Sequence, residues 1–425
     1  MTTRNGRIGW LMLTIQLSIS LLWPGQLMAG PTTQIVDVVG QRSVSGLGWL
    51  EYRQGLRVLH MQGTPYEMGY QHGVLLRREL ARVGRLLNSS TNQREPWVAR
   101  LWGFLVDVYH KTFVLSRLKR DVPGAYLEEM RGIAAGSGGV VDVDTLLMLQ
   151  LLFETAVAEG CSLVALSEAS IDGSVIHARN LDTSLADELA DLITVMVYEP
   201  SQGEKFVSIG WPGLVGVVQG MNAAGMSVGH HRILLDRNTE SAIATPGLLL
   251  TRESLQYATN PEEVLATFSG WPRGGGGAVV VATSGNRTGV IEYSPHRVAM
   301  RESVHGLLSV TDFFTSPALF PLSRTRWENN DGRCERLEHL LASVIGQLNV
   351  TTTVGILRDR QDPTTGRDGF FDIGINNMST VTSTVFMPSQ LQLWIARTDG
   401  FIQAAYHQYT FFDFLKCFEE ARVDP

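Results

Sequence analysis

Cysteine is scarce in this chain, with only Cys161, Cys334 and Cys417 among 425 residues. Three thiols exclude a disulfide-built scaffold, and an odd number leaves at least one unpaired within the chain. Cys334 and Cys417 are available to pair, although nothing in their spacing brings their Cα atoms within bonding range. The sequence has no P-loop, no His-Glu-x-x-His and no Cys-x-x-Cys, so nucleotide and metal chemistry lose their usual signatures and neither a cofactor nor a metal is expected. Basic residues are outnumbered, 35 against 42 acidic, and a net charge of -7 gives a nucleic-acid backbone nothing to hold. Internal repeats are absent, and beyond the N-terminus no stretch is long and apolar enough to span a bilayer.

What is present is a globular composition, 44% hydrophobic and 18% charged, sufficient for a large core. Residues 1–29 read as a signal peptide. Arg4 and Arg7 precede an apolar run from Trp10 to Trp23, Pro24-Gly25 breaks it, and Leu27-Met28-Ala29 offers a small residue for cleavage. The mature protein is therefore expected to be exported, periplasmic or extracellular, or lysosome-like in a eukaryote, with no stable membrane insertion once the signal is removed. Residues from about Gly55 to Leu152 read mainly as helices, including Tyr66–Leu76 and Tyr126–Ala135. From Ser162 onward, strands dominate: Ser162–Leu166, Ser174–Ala178, Leu192–Tyr198, Phe206–Ile209, Ala278–Ala282, Thr288–Tyr293, Ser383–Met387 and Gln392–Ala396. Helical patterns interrupt them at Pro246–Tyr257, Pro261–Phe268 and Gly332–Ile345. Helices followed by strands with interspersed helices indicate an α+β sandwich rather than a doubly wound sheet. Gly132-Ile-Ala-Ala-Gly136-Ser-Gly138-Gly139 follows a helical pattern instead of opening a helix after a strand, so it is a poor dinucleotide loop.

Gly160-Cys161-Ser162 lies at the junction between the two textures. A lone cysteine starting a strand is ordinarily a small buried hydrophobe. Downstream, His177-Ala-Arg179-Asn180-Leu-Asp182 closes the second strand of a hairpin that turns at Asp172-Gly173. That hairpin returns Arg179 and Asp182 to the place where its first strand begins. A cation beside a thiol stabilises the thiolate, and a carboxylate orients an amine.

Gly-Cys-Ser followed by His-Ala-Arg-Asn-Leu-Asp resembles the nucleophile segment of the acyl-coenzyme A:6-aminopenicillanate acyltransferase family. That family stands with the bile-salt hydrolases and acid ceramidase among the N-terminal-nucleophile hydrolases. Further matches follow in order: Gly63-Thr-Pro-Tyr-Glu-Met-Gly69-Tyr-Gln-His-Gly73, Glu128-Glu-Met-Arg-Gly132-Ile-Ala-Ala-Gly136, Gly220-Met-Asn222-Ala-Ala-Gly225-Met, Ile291-Glu292-Tyr-Ser-Pro295 and Asp331-Gly-Arg333-Cys-Glu-Arg336-Leu. The resemblance implies an αββα four-layer sandwich of two mainly antiparallel sheets. It also implies self-cleavage between Gly160 and Cys161, giving a helical N-terminal segment (30–160, the alpha chain) and a catalytic domain (161–425, the beta chain). The freed Cys161 would act as nucleophile and its own α-amine as base, with Arg179 favouring the thiolate, Asp182 holding the amine and Arg333 in support.

The pattern departs from the family at two places. Asn222 stands in a turn between strands, either as a simple turn asparagine or as a site residue. Where relatives place an oxyanion-hole asparagine after it, this chain has Gly229-His230-His231-Arg232, from which His231 is the candidate donor. Where relatives carry Thr-Asn, it has Thr311-Asp312-Phe313-Phe314; an ionised Asp312 cannot donate a hydrogen bond but can orient an amine or a cationic substrate. The expected partner is a small-molecule amide or acyl donor. The expected activity is hydrolysis of a linear non-peptide amide, with acyl transfer to an amine or a non-catalytic binding role as the alternatives.

Overall fold

The computed structural model describes residues 37–39, 42–88, 113–156, 159–165, 167–183, 189–236, 240, 243–303, 306–311, 313–323, 328–362, 365–368, 374–398 and 408–419. The proposed signal peptide and Asp312 lie outside them. The described chain opens with strands β1 (Asp37–Val39), β2 (Arg42–Ser45), β3 (Gly48–Arg53) and β4 (Leu56–Gly63). Among the described residues, helices α1 (Pro65–Leu75), α2 (Arg77–Asn88), α3 (Leu115–Asp121), α4 (Gly124–Gly136) and α5 (Val143–Ala156) follow. The front of the chain is thus not wholly helical. Leu56 to Met61 are buried apart from the half-buried Arg57, and β4 joins the main sheet by a parallel ladder to β7 (Thr194–Pro200). That partner lies more than 130 residues away, so no local pattern announces the pairing.

The hairpin of β5 (Glu159–Ala165) and β6 (Ile176–Asp182) comes next. After β7 come β8 (Phe206–Gly210), β9 (Gln219–Asn222), β10 (Met226–Arg232), α6 (Gly247–Tyr257) and α7 (Pro261–Gly270). Strands β11 (Gly277–Thr283), β12 (Thr288–Tyr293), β13 (Val298–Arg301) and β14 (Leu307–Val310) lead to α8 (Glu328–Ser343) and α9 (Val350–Leu357). The described chain closes with β15 (Thr380–Met387), β16 (Gln392–Arg397), β17 (Thr410–Asp413) and α10 (Lys416–Glu419). Among the described strands, one sheet runs β1-β2-β3-β4-β7-β8-β9-β10-β11-β12-β13 and the other β14-β5-β6-β15-β16-β17.

The cores show four layers. Val58, Val195, Val207 and Ile209 of the large sheet pack with Leu181, Phe386, Leu393 and Ile395 of the small one, and Val280 and Val290 pack with Leu308 and Val310, so both cores lie between the sheets. Outside the large sheet, Met68, Leu250, Leu255, Val264 and Phe268 bring in α1, α6 and α7. Outside the small sheet, Leu337, Leu341, Ile356 and Leu357 bring α8 and α9 onto Ile176, Ala178 and Val385. This is the α+β sandwich expected from the order of elements. Residues Val36–Pro425 form one compact unit, so the junction at residues 160–161 is no gap between domains.

Two of the family-like motifs turn out to be one contact. Helix α1 starts at a capping box in which the Thr64 side chain accepts from Glu67 N and Glu67 in turn accepts from Thr64 N, with Pro65 at the first helical position. Its Gly69 and Gly73 lie against Gly132 and Gly136 of α4; a Cβ at any of them would overlap backbone of the other helix. Gly132 and Gly136 are therefore inside a helix, not in a loop, and are needed for close backbone approach.

Candidate active site

The β5–β6 hairpin sets the frame. Its antiparallel register places Cys161 opposite Asn180, Ser162 opposite Arg179 and Glu159 opposite Asp182. The expectation that the motif returns to the start of the first strand describes the backbone correctly. Strand alternation then separates the motif into two faces. Ala178 packs under the outer helices, whereas Leu181 belongs to the core between the sheets. Arg179 and Asp182, three residues apart, consequently have different surroundings.

Asp182 is 4% exposed and is gripped from the α8 side. Arg333 Nη2 donates to its Oδ2 at 2.8 Å and Asn377 Nδ2 to the same oxygen at 3.1 Å. Thr380 Oγ1 donates to Oδ1 at 2.6 Å. Two of the sequence-predicted residues, Asp182 and Arg333, are thus brought together as a buried ion pair. Asn377 and Thr380 were missed. Asn377 reads in the sequence as the start of a glycosylation sequon, one of four with Asn88, Asn286 and Asn349, but its burial and its bond to Asp182 remove it from the surface. Asn180, opposite Cys161, is also fixed: its Nδ2 donates to the Leu357 and Ile375 carbonyls and its Oδ1 accepts from Ser383 Oγ.

Arg179 is fully buried between the sheets, where its Nη1 donates to the Val218 carbonyl at 2.9 Å. It lies over Gly229; a Cβ there would stand 3.5 Å from Arg179 Cδ and 3.2 Å from His177 Nε2. His177 Nδ1 meets Ser227 Oγ at 3.0 Å. His231 shares β10 with these residues, and burial first, then the Arg179 charge, hold its pKa well below the ordinary histidine value, in the neutral state. His230 belongs to the opposite face, where its Nε2 meets the Tyr293 hydroxyl at 2.7 Å, and burial with the Arg179 charge lowers it to about 3. Of the adjacent histidines, only His231 therefore shares the Arg179 face. Asn222 is committed elsewhere: its Nδ2 donates to the Leu255 and Ala258 carbonyls and its Oδ1 accepts from Met226 N, tying α6 to the β9–β10 turn. Cys334 and Cys417 are both free thiols, not a disulfide. No group of three or more possible metal ligands occurs among the described residues.

The comparisons bear on this arrangement. Residues 170–397 match the family described as acyl-coenzyme A:6-aminopenicillanic acid acyl-transferase, more than half of the chain. The chain belongs to that family. The acyl-transferase match begins after Cys161 and takes in Arg179, Asp182, Arg333, Asn377 and Thr380. An uncharacterized protein of Archaeoglobus fulgidus is 26% identical over 391 residues, covering 80% of this chain and 63% of that protein. Protein dcd1B of Dictyostelium discoideum is 28% identical over 237 residues, 51% of this chain and 46% of its own length. The chain thus spans between about half and just under two thirds of these relatives. Among solved structures, a Caenorhabditis elegans N-acylethanolamine-hydrolyzing acid amidase ortholog matches 54% of this chain and 93% of its own at 17% identity and a TM-score of 0.39. A penicillin V acylase from Agrobacterium tumefaciens matches 60% and 86% at 12% identity and 0.41.

Burial makes stability pH-dependent. His72 accepts from Gly213 N through Nε2, and His72, His177 and His230 are each lowered to about 3, chiefly by burial. Their folded pKa values lie below the unfolded value of 6.5, so they lose stability as pH falls from about 6.5 toward 3. Glu154 is raised by burial to about 7 from an ordinary value of 4.5, so it gains stability as pH falls from 7 toward 4.5. Between pH 7 and pH 5 each histidine costs about 2 kcal/mol and Glu154 returns about 2 kcal/mol. The histidines win, and urea unfolding at pH 5 should show a net loss of about 4 kcal/mol from these four groups relative to pH 7. Glu154→Gln should raise stability at pH 8; equal stability at pH 5 and 7 in the unaltered protein would refute the balance.

Proposed function

We propose that this protein is an exported, self-processing amidase in which Cys161 becomes the N-terminal nucleophile for a linear, non-peptide amide. Family membership supports the reaction class, and the basic start and apolar run before Ala29 support export. The observation that carries the reading is the state of Asp182. A buried carboxylate held by Arg333, Asn377 and Thr380 still has acceptor capacity, since two oxygens offer about four lone-pair sites. It stands two residues beyond Asn180, the partner of Cys161, about 7 Å along the strand.

In the precursor, the Cys161 thiol adds to the Gly160 carbonyl, the peptide C–N bond breaks and a thioester forms. Water hydrolyses it, leaving a Gly160 carboxylate and a free Cys161 α-amine. That amine has an intrinsic pKa near ~8 and takes the thiol proton as sulfur attacks the substrate carbonyl. The proton passes to the leaving amine as its C–N bond breaks. Water then releases the acid and restores the thiol. Asp182 orients the α-amine, Arg179 favours negative charge, and neutral His231 or Arg179 is available to the oxyanion. The two fragments stay together after the cut. Between them run the β4–β7 ladder, the Gln150 bonds to Gly213, Val215 and Gly216, and the buried Arg252–Glu129 pair at 3.1 Å.

The family description also supports a second reading, in which an amine instead of water takes the acyl group. A panel of N-acyl amides, assayed for acid release with and without added primary amine, tests both. Acid release that Cys161→Ala abolishes supports hydrolysis, and diversion to a new amide supports transfer. An unchanged rate in the Cys161→Ala variant would exclude the nucleophile.

A further inference from the structure

Glu292 is not used by the mechanism above, although Ile291-Glu292-Tyr-Ser-Pro295 is one of the family-like motifs. It is a carboxylate 1% exposed on β12, near the edge of the large sheet, with both oxygens occupied. Oε1 accepts from Thr315 N at 3.0 Å, Thr315 Oγ1 at 2.9 Å and Arg301 Nε at 3.2 Å. Oε2 accepts from Ser316 N at 2.9 Å. Arg301 continues the chain of contacts, its Nη2 donating to the Ser309 carbonyl at 2.8 Å.

These contacts join the two sheets at one end. Strand β13, which carries Arg301, is the last strand of the large sheet, and β14, which carries Ser309, is the first of the small sheet. Strand β14 pairs with β5, Val310 opposite Ser162. The next residue toward the site is Thr311, just past the end of β14, and Cys161 on β5. Glu292 thus fixes the chain on both sides of the position beside the nucleophile, through Arg301 at Ser309 and directly at Thr315 and Ser316. A surface turn needs no such anchor. A single buried carboxylate that accepts two backbone N–H groups, a hydroxyl and a guanidinium is a strong, charge-assisted clamp.

We propose that Glu292 is a positioning residue for the Cys161 site, setting the segment after β14 against the strand that bears the nucleophile. The proposal rests on the self-processing reading given above. Glu292 touches no reacting atom in it and acts through the backbone it holds.

The test follows precursor cutting by mass spectrometry after cell-free synthesis of the full chain, so no substrate needs to be known. Glu292→Gln should slow the cut about 10- to 100-fold, the scale of a small misplacement of reacting groups. The pH of half-maximal rate should stay that of the unaltered chain, because the titrating groups remain. Thr315→Val, which removes one hydroxyl donor, should slow the cut about fivefold, while Thr315→Ser restores it. Should Glu292→Gln fail to fold, the Thr315 pair decides alone. Wild-type rates in Glu292→Gln and Thr315→Val would overturn the proposal while leaving the nucleophile intact. An uncut wild-type chain would overturn both readings.

Discussion

Replacing Asp182 with alanine should abolish precursor cutting and destabilise the fold by about 3–5 kcal/mol, the usual consequence of removing one partner from a buried ion pair. Arg333, 6% exposed, would keep its charge and lose the carboxylate that its Nη2 bonds, and Asn377 and Thr380 would lose that acceptor as well. Asp182→Asn separates chemistry from stability. It keeps the shape and one acceptor oxygen, but turns an NH2 group toward donors that need an acceptor. It also removes the charge that, in the proposed mechanism, holds the Cys161 amine. A slowing of at least about 100-fold, with a smaller stability loss than alanine gives, is expected. The measurements are denaturant midpoints and the rate of fragment appearance. Normal cutting in Asp182→Asn would show that the carboxylate serves the fold alone.

A second large effect is expected at Gly132. A methyl group there would overlap the Tyr66 carbonyl and backbone near Gly69 and Tyr70, so α1 and α4 could meet only by moving apart. Alanine ordinarily gains about 1 kcal/mol over glycine inside a helix. Here the clash is with backbone, which has no rotamer to escape into, and overpacking wins by about 3 kcal/mol or more. Gly124→Ala, at the start of α4, meets nothing within 4 Å and serves as the control. Thermal unfolding of the two variants should therefore move in opposite directions, or Gly124→Ala should leave the midpoint where it was. A harmless Gly132→Ala would mean that the two helices are not held in this contact.

The sequence made the hairpin legible because its evidence is local. Asp172-Gly173 marks a turn, the flanking runs alternate, and Gly173 takes the positive φ of 74° that such a turn uses. Helices α6 and α7 were legible for the same reason, with Pro246 preceding the first and Asn260-Pro261 opening the second. Strands β1 to β4 were not, because β4 is stabilised by β7 and by the core rather than by its own composition. The glycines of α1 and α4 could be recognised as recurrent motifs, yet nothing in either motif says that it packs against the other. At the site, Asp182 and Arg333 were named from family resemblance. Their direct bond was not foreseen, since a helix 151 residues downstream carries the arginine. Asn377 was hidden by its own sequon, and Glu292 by being one acidic residue in a strand. Asn222 shows the converse. Its motif invited a role in chemistry, and the fold uses its amide to fasten α6.

The central claim, that Cys161 is exposed by the chain itself, is tested most directly by intact mass and N-terminal sequencing of the purified protein beside its Cys161→Ala variant. The account predicts two fragments that copurify, one of them beginning at Cys161, with the variant left whole at that junction. A single uncut chain in both preparations, or a cut that persists in Cys161→Ala, would contradict it.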